Sequence, residues 1–143
     1  MSLKLISHRG NLHGPNPSKE NTPQYILNAL EQGIDCEIDL WLVDDSLYTG
    51  HDEPKNLISR EFIYDERLWI HAKNLEALHF LNKTCLHYFW HEKDRYTLTS
   101  KNYIWTYPGE ETCDRSIIVQ LDSVNNVPMG CYGICTDYVS KKK

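Results

Sequence analysis

The chain has 143 residues, 41% of them apolar, and a formal charge of −5 from 15 basic and 20 acidic side chains. These proportions exclude a disordered polar chain, and no run approaches the ~20 apolar residues needed to span a bilayer. The acidic balance argues against a nucleic-acid partner reached through bulk electrostatics, and the one basic run, Lys141-Lys142-Lys143, reads as a solvated end.

Surface scaling gives a folded area of about 7,600 Å² against about 24,000 Å² unfolded, enough burial for one core without disulfides or a structural metal. Residues 1–143 therefore read as a single domain. The five cysteines, Cys36, Cys85, Cys113, Cys131 and Cys135, are odd in number and form no C-x-x-C pair. They read as reduced thiols of a cytoplasmic protein, although Cys131 and Cys135 could pair on oxidation. The segment Met1 to Ile6 is too short and too interrupted to be a signal sequence.

Leu3 to Ser7 reads as a strand. Two Gly/Pro/Asn clusters make residues 11–21 a loop. Thr22 then caps a helix with Pro23 at its first position, Ile26, Leu27, Ala29 and Leu30 on its apolar face, and Gly33 at its end. Cys36 to Val43 is the next strand, so strand, helix and strand form a parallel crossover unit. Leu47 to Gly50 follows the Asp44-Asp45-Ser46 turn. Leu68 to Ala72 is a further strand. A second helix is capped by Asn74 and faced by Leu75, Leu78 and Leu81. Beyond residue 84 the chain reads as strands with short links and no helix: 86–90, 96–99, 103–107, 116–121 and 132–137.

Four polar clusters stand where strands end or run: His8-Arg9-Gly10, Glu37-x-Asp39, Gly50-His51-Asp52 and His71-x-Lys73. In parallel β/α architectures, sites form at the carboxyl ends of strands. Glu37 and Asp39 are two apart on a strand and share a face. If that face is interior, a divalent cation with oxygen ligands, Mg²⁺ or Ca²⁺, compensates the buried charge most economically. On spacing alone, an ordinary amphipathic strand with its acids in water is the plainer reading. His8 and His51 are candidates for proton transfer. His13, His79, His87 and His91 lack such context, although His91 and Glu92 could reach the same rim. Arg9 and Lys73 are the cations that a bound phosphate would need.

The order His8-Arg9-Gly10, Glu20-Asn21-Thr22, Glu37-x-Asp39, Gly50-His51-Asp52 resembles the glycerophosphodiester phosphodiesterase family. The resemblance is strongest over residues 4–52, returns at Lys73, and continues weakly at Tyr103-Ile104-Trp105-Thr106 and Gly133-Ile134-Cys135-Thr136-Asp137. It implies a TIM-type (β/α)8 barrel, here reduced, with several helices missing from the C-terminal half. It implies His8 and His51 as the acid/base pair, Glu37 and Asp39 as metal ligands, and Arg9 and Lys73 on the phosphate. Glu20 and Asn21 would brace the first loop, and Trp105 would line the pocket or serve as a core aromatic.

Two departures stand out. The family's third acidic ligand falls at His71, a poorer ligand for Mg²⁺ or Ca²⁺. The chain is also shorter than the ~200 residues of a small TIM barrel. Missing helices would expose the outer faces of the late strands, so Tyr88, Trp90, Tyr103 and Tyr107 are expected to support a homo-oligomer. The expected function is hydrolysis of a small phosphodiester. The alternative is a non-catalytic binder of phosphate or sugar phosphate on a decayed barrel.

Overall fold

The computed structural model describes residues 2–142. Among them are ten strands, two α-helices and two short 3-10 turns. The first strand, β1 (Lys4–His8), leads through a long loop to α1 (Pro23–Glu31), β2 (Asp35–Val43), β3 (Ser46–Thr49) and β4 (Asn56–Ile58). Next come β5 (Leu68–Ala72), α2 (Leu75–Asn82) and β6 (Tyr88–Phe89). The chain ends with β7 (Tyr96–Leu98), β8 (Ile104–Thr106), β9 (Ser116–Val119) and β10 (Gly133–Thr136). β4 is an addition to the sequence reading, and β6 is two residues where five were expected.

All ten strands belong to one curled sheet. Its parallel part runs β6-β5-β2-β1-β10-β9-β8. The first crossover unit, β1-α1-β2, is parallel as the alternation of elements requires. β3 instead turns back antiparallel on the far half of β2, through Asp44 and Asp45 at φ +49° and +67°. That is the left-handed pair of a two-residue hairpin turn. β6 and β8 share no ladder. Phe89 and Trp105 bridge them with rings 4.8 Å apart, and Ser100 at the β7–β8 tip receives and returns hydrogen bonds with the Tyr88 main chain. The fold is thus mixed α/β and a partial barrel.

Alternation along each strand divides the side chains into two layers. Ile6, Trp69, Phe89, Trp105, Ile117 and Cys135 pack together inside the curl. Cys36, Ile38, Leu40, Leu68 and Ile70 face outward and are covered by Ile26 and Leu30 of α1 and Ala77 and Leu81 of α2. Each fully buried aliphatic side chain of this layer contributes about 1.5–3 kcal/mol. Thr22 caps α1 by accepting the Tyr25 N–H, Asn74 caps α2 by accepting the Ala77 N–H, and Gly33 turns the chain at φ +78°. Leu75 does not join the α2 face: it is 71% exposed, because it lies well round the helix from Ala77 and Leu81, the residues that α2 buries.

The outer faces of the late strands are not exposed as expected. Ile118 and Ile134 are buried. Connecting loops take the place of helices there. Cys113 N–H bonds Ser116 Oγ, Tyr96 Oη bonds the Glu111 carbonyl, and Thr136 Oγ1 bonds the Leu121 carbonyl. Tyr103 is also not a surface aromatic. Its ring is part-buried and packs at tilted angles against Trp69, His87 and Tyr132, with the Arg115 guanidinium 3.8 Å from its centroid. All five cysteines are free thiols, and among the described residues no helix is long and apolar enough to cross a membrane. The accessible area, 7982 Å², is close to the value expected from chain length.

Candidate metal centre

The inner residues at the carboxyl ends of β1, β2, β5 and β10 meet in one polar cluster. Register sets the meeting. His8 pairs with Glu37, and Asp39 pairs with His71. Glu37 and Asp39 are 3% and 1% exposed, so the interior reading of the pair holds and the solvated one does not. Potential ligand atoms of Glu37, Asp39 and His71 all lie within 4.8 Å of one another.

The two carboxylates are held differently. Asp39 is fully engaged. Its Oδ2 accepts Asn21 Nδ2–H at 2.9 Å and lies 3.2 Å from Arg9 Nε, and its Oδ1 lies 3.2 Å from His71 Nδ1. Asn21 also accepts the Asp39 main-chain N–H at 3.0 Å. Burial opposes the Asp39 charge, but His71, Arg9 and Asn21 outweigh it and hold the carboxyl below its ordinary value. Glu37 is different. Its Oε1 is buried without a hydrogen-bond partner. Burial and the Asp39 charge push its carboxyl well up, against the opposing pull of Arg9 and Lys73. A buried oxygen left open beside two other donors fits a divalent cation.

His71 is oriented by its surroundings. Its Nε2 is 3.0 Å from the His91 carbonyl, which can only accept, and its ring stacks on Phe89 at 5.2 Å and 12°. Nε2 therefore carries a proton, and Nδ1 faces Asp39 Oδ1 and Glu37 Oε2 at 3.2 and 3.9 Å.

His8 has a partner that the sequence reading assigned no role. Asp137, just beyond β10, lies 2.7 Å from His8 Nδ1 through Oδ1, and the same oxygen accepts Asn11 Nδ2–H at 2.9 Å. The other ring nitrogen, Nε2, is 3.9 Å from Glu37 Oε1. The signal was available in principle: an acid follows a strand-end run at 133–137, but the pairing joins residues 129 positions apart. Glu20 braces the first loop as expected. It accepts Arg9 Nη1–H, Asn11 Nδ2–H and the Asn16 N–H. Arg9 itself sits at φ +60°, a left-handed conformation held from both sides by Arg9 N–H to the Glu37 carbonyl and Asn21 N–H to the Arg9 carbonyl. Gly10 is required beside it, since a Cβ there would lie 2.6 Å from the Tyr25 ring at φ +95°.

His51 is not in the cluster. β3 returns it to the rim, where Gly50 N–H bonds the Asp39 carbonyl and a Cβ on Gly50 would collide with the Glu53 carbonyl. Its side chain is 47% exposed, and Nδ1 pairs with Asp52 at 2.7 Å. Arg9 links the two regions: its guanidinium touches Asp39, and it lines a cleft of about 330 Å³ with Glu20, Asn21, Gly50 and His51. Lys73 follows β5, its N–H on the Leu40 carbonyl, and its charge acts on Glu37. Trp105 is 4% exposed and belongs to the inner core cluster. It packs on Trp69 and Phe89, and it walls a second cleft, of about 560 Å³, with His91, Tyr107 and Leu121.

The cluster can hold a cation, present a carboxylate-backed imidazole beside it, and offer a guanidinium to an anion. Comparison of the chain with protein-family models, with curated proteins and with solved structures finds no match.

Proposed function

We propose that the chain hydrolyses a small phosphodiester of the glycerophosphodiester kind on a reduced TIM-type barrel. The observation that carries this reading is the convergence of three candidate metal donors, the buried Glu37 and Asp39 and the part-buried His71, with the His8–Asp137 pair and Arg9 at one end of the parallel strands. A divalent ion held by those donors would supply Lewis-acid polarisation of a phosphoryl oxygen. Mg²⁺ and Ca²⁺ are the ions implied by the motif resemblance.

Arg9 and Lys73 offset the charge that spreads over the phosphoryl oxygens in the transition state. Asp137 accepts His8 Nδ1–H and so leaves His8 Nε2 as the nitrogen that exchanges a proton with substrate. Following the family that the motifs resemble, a neighbouring hydroxyl of the substrate attacks phosphorus. One imidazole of His8 and His51 takes the hydroxyl proton, and the other gives a proton to the departing alkoxide. The products are a cyclic phosphate and an alcohol. Water then opens the ring with the two imidazoles in exchanged roles.

This mechanism requires a bell-shaped dependence of kcat/KM on pH and a loss of at least 10²-fold in both His8→Ala and His51→Ala. Wild-type rates in His8→Ala contradict it. Binding of a phosphodiester without turnover by the wild-type chain supports the alternative, a non-catalytic phosphate or sugar-phosphate binder. Trp90 and Tyr107, both exposed, are the aromatics through which we propose self-association, to be read by sedimentation velocity of the wild-type and Tyr107→Ser chains.

A further inference from the structure

We infer that the Glu37–Asp39–His71 centre selects a borderline first-row ion of the Co²⁺ and Zn²⁺ kind over Mg²⁺ or Ca²⁺. The inference rests on reading these three residues as metal donors, and it does not depend on the substrate.

The His91 carbonyl fixes the hydrogen of His71 on Nε2. Nδ1, the ring nitrogen not used on that carbonyl, faces Asp39 Oδ1 and Glu37 Oε2, 3.2 and 3.9 Å away. Ligand atoms of the three residues lie within 4.8 Å of one another, a spacing that one cation can bridge. Glu37, 3% exposed, has a second oxygen, Oε1, that is buried without a hydrogen-bond partner and lies 3.9 Å from His8 Nε2. The carbonyl on Nε2 is also the outer partner that metal-bound imidazoles commonly have, and it fixes the tautomer that can ligate. Phe89 stacked on the ring prevents His71 from swinging away.

The donor set then decides the ion. Imidazole nitrogen suits Zn²⁺, Fe²⁺, Co²⁺ and Ni²⁺, whereas Mg²⁺ and Ca²⁺ take oxygen. A centre with one imidazole and two carboxylates, buried and offering few positions to water, fits a four- to six-coordinate borderline ion. It is poorly suited to Ca²⁺, which takes six to eight oxygens.

The full chain is stripped with chelator, then dialysed against 10 µM Zn²⁺ or Co²⁺ with 5 mM Mg²⁺ and Ca²⁺, and its metal content is measured. Long-range ¹H–¹⁵N spectra of the histidines follow Zn²⁺ titration of the wild-type chain. One equivalent of Zn²⁺ or Co²⁺ is expected, with the Nδ1 resonance of one imidazole moving while its Nε2 stays protonated. His71→Glu is expected to lower Zn²⁺ and Co²⁺ affinity at least tenfold and to raise Mg²⁺ or Ca²⁺ affinity. Retention of Mg²⁺ or Ca²⁺ instead, or a His71 ring that is doubly protonated and unmoved by Zn²⁺, overturns the inference. So does unchanged ion preference in a folded His71→Glu chain. If that variant fails to fold, the wild-type metal content and spectra still decide. Because no phosphodiester is present, tight Zn²⁺ binding by a chain without hydrolytic activity would defeat the proposed reaction and leave this inference standing.

Discussion

Glu37 and Asp39 are the same kind of group, two residues apart on one strand, yet the structure requires opposite stability effects from neutralising them. Asp39 accepts or pairs with Asn21, Arg9 and His71 at 2.9–3.2 Å. Asp39→Asn leaves a buried guanidinium and an imidazole facing an amide, and breaking a buried ion pair by removing one partner costs about 3–5 kcal/mol. For a domain of this length that is a fall in Tm of roughly 10–15 °C. Glu37 offers a buried oxygen with no hydrogen-bond partner. Burial and Asp39 already disfavour the charged form of Glu37, so in chelator Glu37→Gln should cost nothing or stabilise by about 1 kcal/mol. The assay is urea unfolding of both variants in EDTA, followed by circular dichroism, with the two slopes compared to confirm that the same surface is exposed. Adding metal should then raise the stability of the wild-type chain and not of Glu37→Gln. Equal losses in EDTA, or a larger loss in Glu37→Gln, would refute the claim that one carboxylate is structurally satisfied and the other is held open.

Three further outcomes are expected. Burial, aided by the charges of Lys101 and Arg115, pushes the His87 imidazole down to about 4 from its ordinary 6.5. The stability this neutral ring carries is therefore complete above pH 6.5 and is lost as pH falls through 4, by on the order of 3 kcal/mol. Urea midpoints between pH 4 and 7 should show that loss in the wild-type chain and a flatter curve in His87→Gln. Asp137→Asn should lower kcat by about 10²–10⁴-fold with little change in KM, since the Asn amide turns the wrong tautomer of His8 toward substrate. A Michaelis analysis in which only KM moves would remove Asp137 from the mechanism. Gly10→Ala should destabilise by more than 1 kcal/mol, because φ is +95° and the new methyl meets the Tyr25 ring. Thermal unfolding of that variant at the wild-type Tm would show that the first loop is looser than described.

The parts of the fold legible in the sequence were those set by local chemistry. Thr22-Pro23 and Asn74 announced both helix starts, and Gly33 the end of the first. The alternation of Glu37 and Asp39 with Ile38 and Leu40 fixed which residues share a face, though not which face is buried. That required the layer opposite: Ile26 and Leu30 covering one side, Trp69 and Phe89 filling the other. Leu75, Leu78 and Leu81 at three-residue spacing wind round the helix, so Leu75 falls off the face that Ala77 and Leu81 bury. Tyr103 was assigned to the surface because an aromatic in a late strand reads the same whether it faces in or out. The burial of Ile118 and Ile134 was not legible, because the links between the late strands are loops with no periodicity to read. In the cluster, His8, Arg9 and His71 read as candidates from strand-end position, and Glu37 and Asp39 from their two-residue spacing within a strand. The His8–Asp137 contact was not, since it depends on β10 lying beside β1.

The central claim, that the cluster is a metal-dependent phosphodiesterase centre, is tested most directly by phosphorus NMR of the purified chain with mixed glycerophosphodiesters. The reactions are run with Mg²⁺, Ca²⁺, Co²⁺ or Zn²⁺, with EDTA, and with His8→Ala in each metal. The account predicts new cyclic-phosphate or phosphomonoester resonances that require both a divalent ion and His8. Resonances that appear equally in EDTA or in His8→Ala, or none in any metal, would contradict it.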